Sequence, residues 1–319
     1  MEEFQLRPYR EGDEHSINKG FNQVFGLQRT LEEWRWKFQP DVDGCRIMVA
    51  VDSEDKVVAH FSAILIRALV DGRILQGGQS VDVFCLRRPD AIRQKVYLKT
   101  VQEFYRRYGA PDRLAFLFGF PGERHLKLGQ LRLQYSTPMP VPMWQRSVAA
   151  RRVWWPRYEV RNGFDSAAMD QLWRRSANRY PVCVVRESEW VERRYLSRPN
   201  NKYSHLTVWR KGLMQAWAVF QIARDAAQWI DLVWDGREPQ ALITLDNEIA
   251  RIARSKGAKG VEMWLSGDEP VANILRSSGW ERVEHPQQLH MTSVLFDSTL
   301  DRADLIRRFY LTMGDSDLV

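Results

Sequence analysis

Alternating apolar and polar positions divide the chain into two stretches with the same order of elements. In the first, FQLRPYR reads as an opening strand and GDEHSINKGFNQVFG and TLEEWRWKF as helices. CRIMVAVD, KVVAHFSAILIRALV and RILQGGQSVDVFCL then read as long strands of period-two alternation. Short turns join these strands, Ser53 to Asp55 and the hairpin signal Asp71-Gly72, so they predict an antiparallel meander. A helix over about Asp90 to Tyr108 follows, then a buried strand RLAFLFGF, a short helix GERHLKLGQL and a strand pair through YSTPMPVPMW.

The second stretch repeats this order. FDSAAMDQLWRRSANRY and ESEWVERRYLSRP predict helices, HLTVWRKG, LMQAWAVFQIA and AQWIDLVWD a meander, and PQALITLDNEIARIARSKG an amphipathic helix. KGVEMWLSG, EPVANILRSSGW and the hairpin ERVEHPQQLHMTSVLF complete it. EEWRWKF in the first half answers SEWVERRYL in the second, which points to an internal duplication. The predicted fold class is α+β: two tandem α/β domains, residues 1–146 and 147–319, each a mixed, mostly antiparallel sheet flanked by helices. The boundary is expected in the Trp- and Arg-rich link from Trp144 to Arg161, punctuated by Pro142 and Pro156.

Composition agrees with two ordinary cores, at 319 residues with 44% apolar positions. The N-terminal residues lack a basic and then apolar leader, and no run of about 18 apolar residues occurs, so a soluble, cytoplasmic chain without a membrane partner is expected. Cys45, Cys85 and Cys183 are dispersed, and His285 and His290 have no other ligands nearby in sequence, so no metal is implied. The net charge of +7 fits either a polyanionic partner or a solvated basic face.

Candidate chemistry concentrates in QSVDVFCLRRPDAIRQKVYLKTVQEFYRRYG, residues 79 to 109, a strand, a basic turn and a helix. Loose N–H groups at the helix start beside Arg87, Arg88, Arg93 and Lys95 make a natural seat for a pyrophosphate. EEWRWKF, GQSVD in the fourth strand, the Pro89-Asp90 turn and GFP after the fifth strand together resemble the GCN5-related N-acetyltransferase superfamily, over almost the whole chain as two tandem copies, the second degenerate.

That resemblance implies an acyl-CoA-dependent N-acyltransferase working from the first domain, with acetyl-CoA or another acyl-CoA as cosubstrate and a small-molecule amine as acceptor. The family's turn after the fourth strand reads R-G-x-G or Q-x-x-G-x-G, because glycine lets the pyrophosphate approach the backbone. Here Arg93 stands at the family's arginine, with Gln94 and Lys95 where glycines are expected. The resemblance therefore assigns cofactor binding to Arg88, Arg93, Gln94 and Lys95, and polarisation of the acyl oxygen to the backbone N–H groups of Val83, Phe84, Cys85 and Leu86. In the second copy Asp235 and Glu238 occupy the corresponding turn and repel a phosphate.

Asp82 is the candidate base, or else a side chain that caps a neighbouring loop. The family's acidic tyrosine falls at Leu126, with His125 beside it; His125 is the substitute acid or a polar surface residue, and Tyr97, Tyr105 and Tyr135 are further phenols in reach. Trp34, Arg35 and Trp36 match the helix that borders the acceptor site, although Trp34 and Phe38 also suit a core anchor. Cys85 lacks a histidine–acid pair and reads as a small core hydrophobe. The tail RRFYLTMGDSDLV either offers a carboxylate to a cleft or packs through Phe309, Tyr310 and Leu318 with Asp315 and Asp317 solvated. Two further readings are a catalytically silent binding or scaffold protein and a Fem-like transferase that takes its acyl group from a charged tRNA; a homodimer is left open.

Overall fold

The structure is a computed structural model that describes residues 4–39, 44–148 and 157–318. In chain order its first elements are β1 (Gln5–Pro8), α1 (Asp13–Phe25), α2 (Leu31–Phe38), β2 (Cys45–Val51), β3 (Val57–Val70) and β4 (Arg73–Cys85). Then come α3 (Pro89–Arg93), α4 (Val96–Tyr108), β5 (Phe116–Gly119), α5 (Glu123–Arg132), β6 (Met139–Pro140) and β7 (Met143–Ser147). The rest are β8 (Glu159–Asn162), α6 (Ser166–Ser176), β9 (Val182–Val184), α7 (Ser188–Val191), β10 (Ser204–Arg210), β11 (Leu213–Ala223), β12 (Ala226–Trp234), α8 (Pro239–Ser255), β13 (Gly260–Trp264), α9 (Glu269–Ser277), β14 (Glu281–Val283) and β15 (His290–Leu295). A π-helical turn, Glu192–Leu196, extends α7.

The chain forms two compact units. The first takes residues 1–67, 75–139 and 290–306, and the second residues 68–74, 140–289 and 307–319. One sheet runs β1-β2-β3-β4-β5-β15-β6 and the other β14-β7-β13-β12-β11-β10-β8. The expected hairpin at ERVEHPQQLHMTSVLF does not form, because β14 pairs with β7 in the second sheet whereas β15 pairs with β5 in the first. The strand pair expected through YSTPMPVPMW is likewise divided, β6 staying with the first sheet and β7 joining β13. β9 also pairs with β3, so the first sheet takes β9 and β15 from the second half of the sequence and the second sheet takes β7 from the first. Period-two alternation is the same in either sheet, so the pattern predicts the strands without choosing their partners. The centre of the expected link, including Pro156, lies outside the described residues.

Local chemistry accounts for the elements of the first unit. A capping box starts α2: Glu33 N–H donates to Thr30 Oγ1 at 3.2 Å, and Thr30 N–H to Glu33 Oε2 at 2.8 Å. Asp71 and Gly72 take φ of 48° and 78°, the left-handed pair that a tight β3–β4 hairpin requires. The helix expected from Asp90 to Tyr108 is broken. Lys95 adopts φ 53° between α3 and α4, and Gln94 and Lys95 donate their N–H groups to the carbonyls of Asp90 and Ile92. Ala91 and Val96 pack in one cluster with Val58 and Ala59. On an uninterrupted helix these two residues point about 140° apart, so the break lets both reach the sheet.

Helices cover both faces of the first sheet. Ile17, Phe21, Trp34 and Phe38 of α1 and α2 pack on Val49, Val81 and Phe84. On the opposite face Val101 and Phe104 of α4 pack on Met48, Phe61 and Leu117, with Val83 against them.

Candidate active site

β4 and β5 run parallel, pairing Gly77 with Phe116, Gly78 with Leu117 and Gln79 with Phe118. Beyond Gln79 they part, and β4 continues to Cys85 with the edge towards β5 unpaired. The strand bends within this segment, where Asp82 takes φ 51°. Val81 and Asp82 both face α1 and α2, the signature of a β-bulge. A bulge leaves carbonyls without ladder partners, and β3 supplies them from its side chains: Ser62 Oγ donates to Val81 O at 2.7 Å, and His60 Nδ1 to Asp82 O at 2.8 Å. His60 is completely buried, stacked on Phe84 with ring centroids 5.3 Å apart. Burial depresses its pKa to about 4, so the ring is neutral.

Past the bulge the strand alternates again. Leu86 N–H donates to Val58 O of β3 at 2.8 Å, which removes it from the expected oxyanion donors. By alternation Phe84 N–H also faces β3, while the N–H groups of Val83 and Cys85 face the unpaired edge. Cys85 is half-buried, and burial pushes its thiol up, so it is not an activated nucleophile.

The Asp82 carboxylate makes two ion pairs, one with Lys37 Nζ at 2.6 Å and one with Arg29 Nη1. Burial by itself pushes this carboxyl up, but Lys37 and Arg29 overcome that effect and hold it below the usual range. His125 lies in a different cluster, on the face of the sheet covered by α4. Its Nε2 is 2.6 Å from Tyr97 Oη and 3.1 Å from Tyr135 Oη. Burial lowers His125 to about 4 and raises both phenols, so a neutral ring accepts on Nε2 and carries its proton on Nδ1. Asp82 and His125 are therefore not brought together, whereas His125, Tyr97 and Tyr135 are.

The basic turn is only partly available to a ligand. Arg88 is engaged by Asp52 at 2.7 Å and Asp90 at 2.8 Å, and the N–H groups of Ile92, Gln94 and Lys95 bond within the turn. The Arg93 and Lys95 side chains are exposed at the start of α4. Trp34 is wholly buried against Phe38 and Tyr9, with centroids 5.0 and 5.6 Å away, which leaves it no surface for an acceptor. Arg35 is exposed and lies 3.5 Å from Glu14, and Trp36 is half-buried. Arg29, Lys37 and His60 escaped the sequence reading; the polar interruption of the apolar run VVAHFSAILI was the available signal for His60.

The second unit repeats the arrangement and fills it. β12 pairs in parallel with β13 as far as Trp229 and Met263, after which the strands part. There the C-terminal segment bonds to both: Leu311 bridges Ser266, Tyr310 Oη donates to Leu232 O at 2.7 Å, and Thr312 Oγ1 donates to Asp231 at 2.9 Å. Asp231 stands where Asp82 does, with Arg186 at 2.9 Å and Tyr195 Oη at 2.9 Å. Asp315, expected in solvent, is buried 2.8 Å from Arg186, and Leu318, expected to pack, is exposed. The inward tail is held by the Asp315 carboxylate, which accepts from Arg186 Nη2 and, at 2.8 Å, from the Thr312 N–H.

By sequence, no protein family and no characterised protein matches the chain. Solved structures do. A probable N-acyltransferase from Enterococcus faecalis superposes with a TM-score of 0.71 at 11% identity, over 93% of this chain and 73% of that one. The chain has the GCN5-related N-acetyltransferase fold. A GCN5-related N-acetyltransferase from Anabaena variabilis matches with a TM-score of 0.69 at 12% identity, covering 92% of this chain and 73% of its own. Saccharomyces cerevisiae N-myristoyltransferase with bound myristoyl-CoA matches with a TM-score of 0.59 at 12% identity, covering 92% and 82%. In this GCN5-related fold the parting of β4 from β5 and the bulge at Asp82 are the features that shape the first unit's site. No helix among the described residues is long and apolar enough to cross a membrane.

Proposed function

We propose that the protein is an acyl-CoA-dependent N-acyltransferase that acts on a small-molecule amine from its first unit. The observation that carries this reading is the parting of β4 and β5 beyond Gln79 and Phe118, with the Val83 and Cys85 N–H groups on the unpaired edge. In the second unit the corresponding space is bonded through by residues 310–312.

When bound, acyl-CoA supplies a thioester as acyl donor. Val83 and Cys85 polarise its carbonyl through backbone N–H groups, a role independent of their side chains. Arg93 and Lys95 hold the pyrophosphate as side-chain cations, since the turn's own amides are largely spent. As the amine nitrogen bonds to the acyl carbon and the C–S bond breaks, Tyr97, held by His125, gives its proton to the departing thiolate and is reprotonated by the proton the nitrogen loses. Asp82 is a weak proton acceptor with two cations on it; its part is to position Arg29 and Lys37. The acyl chain is acetyl or longer.

Thermal shift with CoA, acetyl-CoA and myristoyl-CoA tests the reading. Ligand at about 100 times its dissociation constant stabilises the native state by about 2.7 kcal/mol. A shift that Arg93→Glu with Lys95→Glu removes supports the assignment. No shift with any of the three favours the silent-scaffold reading, to which the internally bonded turn amides already lend weight.

A further inference from the structure

The segment from Arg87 to Arg106 carries more positive charge than its own fold uses. Its two acids, Asp90 and Glu103, are paired with Arg88 and Arg106, and Arg88 also holds Asp52. Arg87, Arg93, Lys95 and Lys99 are exposed and make no ion pair among the described residues. Cys85, the last residue of β4, packs with Ala91 and Val96 of this segment, so the cations lie at the end of the unpaired β4 edge. Arg124, exposed and likewise without an ion pair, adds a fifth: its neighbour His125 bonds Tyr97 in the first turn of α4.

This surface is poorly made for a pyrophosphate and well made for a protein. A phosphate is gripped best by loose backbone amides, but here the N–H groups of Ile92, Gln94 and Lys95 are bonded to the carbonyls of Arg88, Asp90 and Ile92. Among the cations stands Ile92, 66% exposed. An aliphatic side chain in that position gains nothing from a phosphate, and a nucleic acid would use the cations and leave it in water. An apolar contact rimmed by charge is the make-up of a protein–protein interface.

We propose that the preferred acyl donor is the thioester of a small acidic carrier protein, delivered on a phosphopantetheine arm. CoA carries the same pantetheine chain, so the Val83 and Cys85 N–H groups meet either donor alike. Behind the arm's single phosphate, the acidic surface of the carrier lies on Arg87, Ile92, Arg93, Lys95 and Lys99. Opposite charge steers the encounter, and Ile92 adds apolar contact. Free acyl-CoA, held by Arg93 and Lys95 alone, is the weaker donor. In the transfer the acyl carbon bonds to the amine nitrogen and leaves the carrier's sulfur, which takes its proton through Tyr97, so the carrier departs as a free thiol. The inference rests on the acyl-transfer reading and changes only what stands behind the arm.

Isothermal titration of the full chain tests this. The probes are an acetylated acyl carrier protein, the same carrier without its arm, acetyl-CoA and bulk transfer RNA. The acetylated carrier is expected to bind at least tenfold tighter than acetyl-CoA and than the armless carrier, and to weaken as salt rises. Ile92→Asp combined with Lys99→Glu, both exposed and neither assigned to the pyrophosphate, is expected to weaken carrier binding at least tenfold and to leave acetyl-CoA binding within about twofold, with circular dichroism confirming the fold. The proposal is overturned if the acetylated carrier binds no tighter than acetyl-CoA, if the armless carrier binds equally well, or if the double variant binds the carrier as wild type does. It is also overturned if transfer RNA binds more tightly than the carrier and loses that binding in the double variant. Acetyl-CoA binding without carrier binding removes this proposal and leaves acyl transfer standing, whereas binding of neither removes both.

Discussion

His60 Nδ1 donates to the carbonyl of Asp82 at 2.8 Å, so a buried imidazole on β3 replaces the ladder hydrogen bond that the bulge in β4 gives up. Removing it with His60→Ala orphans a buried carbonyl and opens a cavity, at a cost of about 2–5 kcal/mol. His60→Asn keeps a donor near the same position and is expected to recover part of that loss. Urea denaturation of the two variants measures the difference.

The same residue gives a pH dependence of definite sign. His60, His125 and His205 have folded-state pKa values lowered to about 4 from 6.5. Between those values the unfolded chain binds protons that the folded chain refuses, so stability falls as pH drops from about 6.5 to 4 and is flat in these groups above 7. Asp315, raised to about 6, acts in the opposite direction, favouring the fold as pH falls through the same range. The net slope therefore has two parts. His60→Asn isolates one, and its stability relative to wild type is expected to improve progressively as pH falls from 6.5 to 4.

Asp82→Ala removes the buried carboxylate shared by Arg29 and Lys37 and is expected to destabilise by about 3–5 kcal/mol. Combined with Arg29→Met it should cost less than the sum of the single changes. A double-mutant cycle by chemical denaturation reads the coupling, and simple additivity would falsify the ion-pair account.

Tyr97→Phe removes the phenol on His125 Nε2 without disturbing the α4 packing. Once an acceptor is in hand, kcat is expected to drop about 10- to 100-fold, with acyl-CoA affinity unchanged and an altered alkaline limb of the pH–rate profile. A change confined to KM would assign Tyr97 to binding.

Asp315→Ala removes one of the two carboxylates on the buried Arg186, leaves the Thr312 N–H without its acceptor and should cost about 1–3 kcal/mol, mainly in the second unit. Hydrogen exchange localises the loss: amides of β12 and of residues 310–316 are expected to lose protection, and those of β4 to retain it.

Much of this architecture was legible in the sequence. GQSVD falls on the strand that carries the candidate site, and both meanders followed from alternation, because each strand buries one face or both between helices. The parts that escaped depend on long-range pairing. Arg29 and Lys37 carry no local signal, since nothing in their own segments shows that they close on an aspartate in β4, the third strand that follows. Asp315 looked like part of a solvated tail for the same reason, its partner Arg186 lying in another element. The break at Lys95 replaced the expected glycines with a short helix, a change in the chain's path that side-chain periodicity does not record.

The placement of β15 sets a timetable for biosynthesis. β5 finds its antiparallel neighbour only in residues 292–295, so during translation its edge stays open until about 170 further residues have been added. At roughly 5–20 residues per second that interval is on the order of ten seconds or more, long enough for a bare strand edge to recruit a chaperone or a neighbouring nascent chain. A rearrangement that separated the two halves of the sequence would deprive both sheets of strands, so neither half carries a complete sheet by itself.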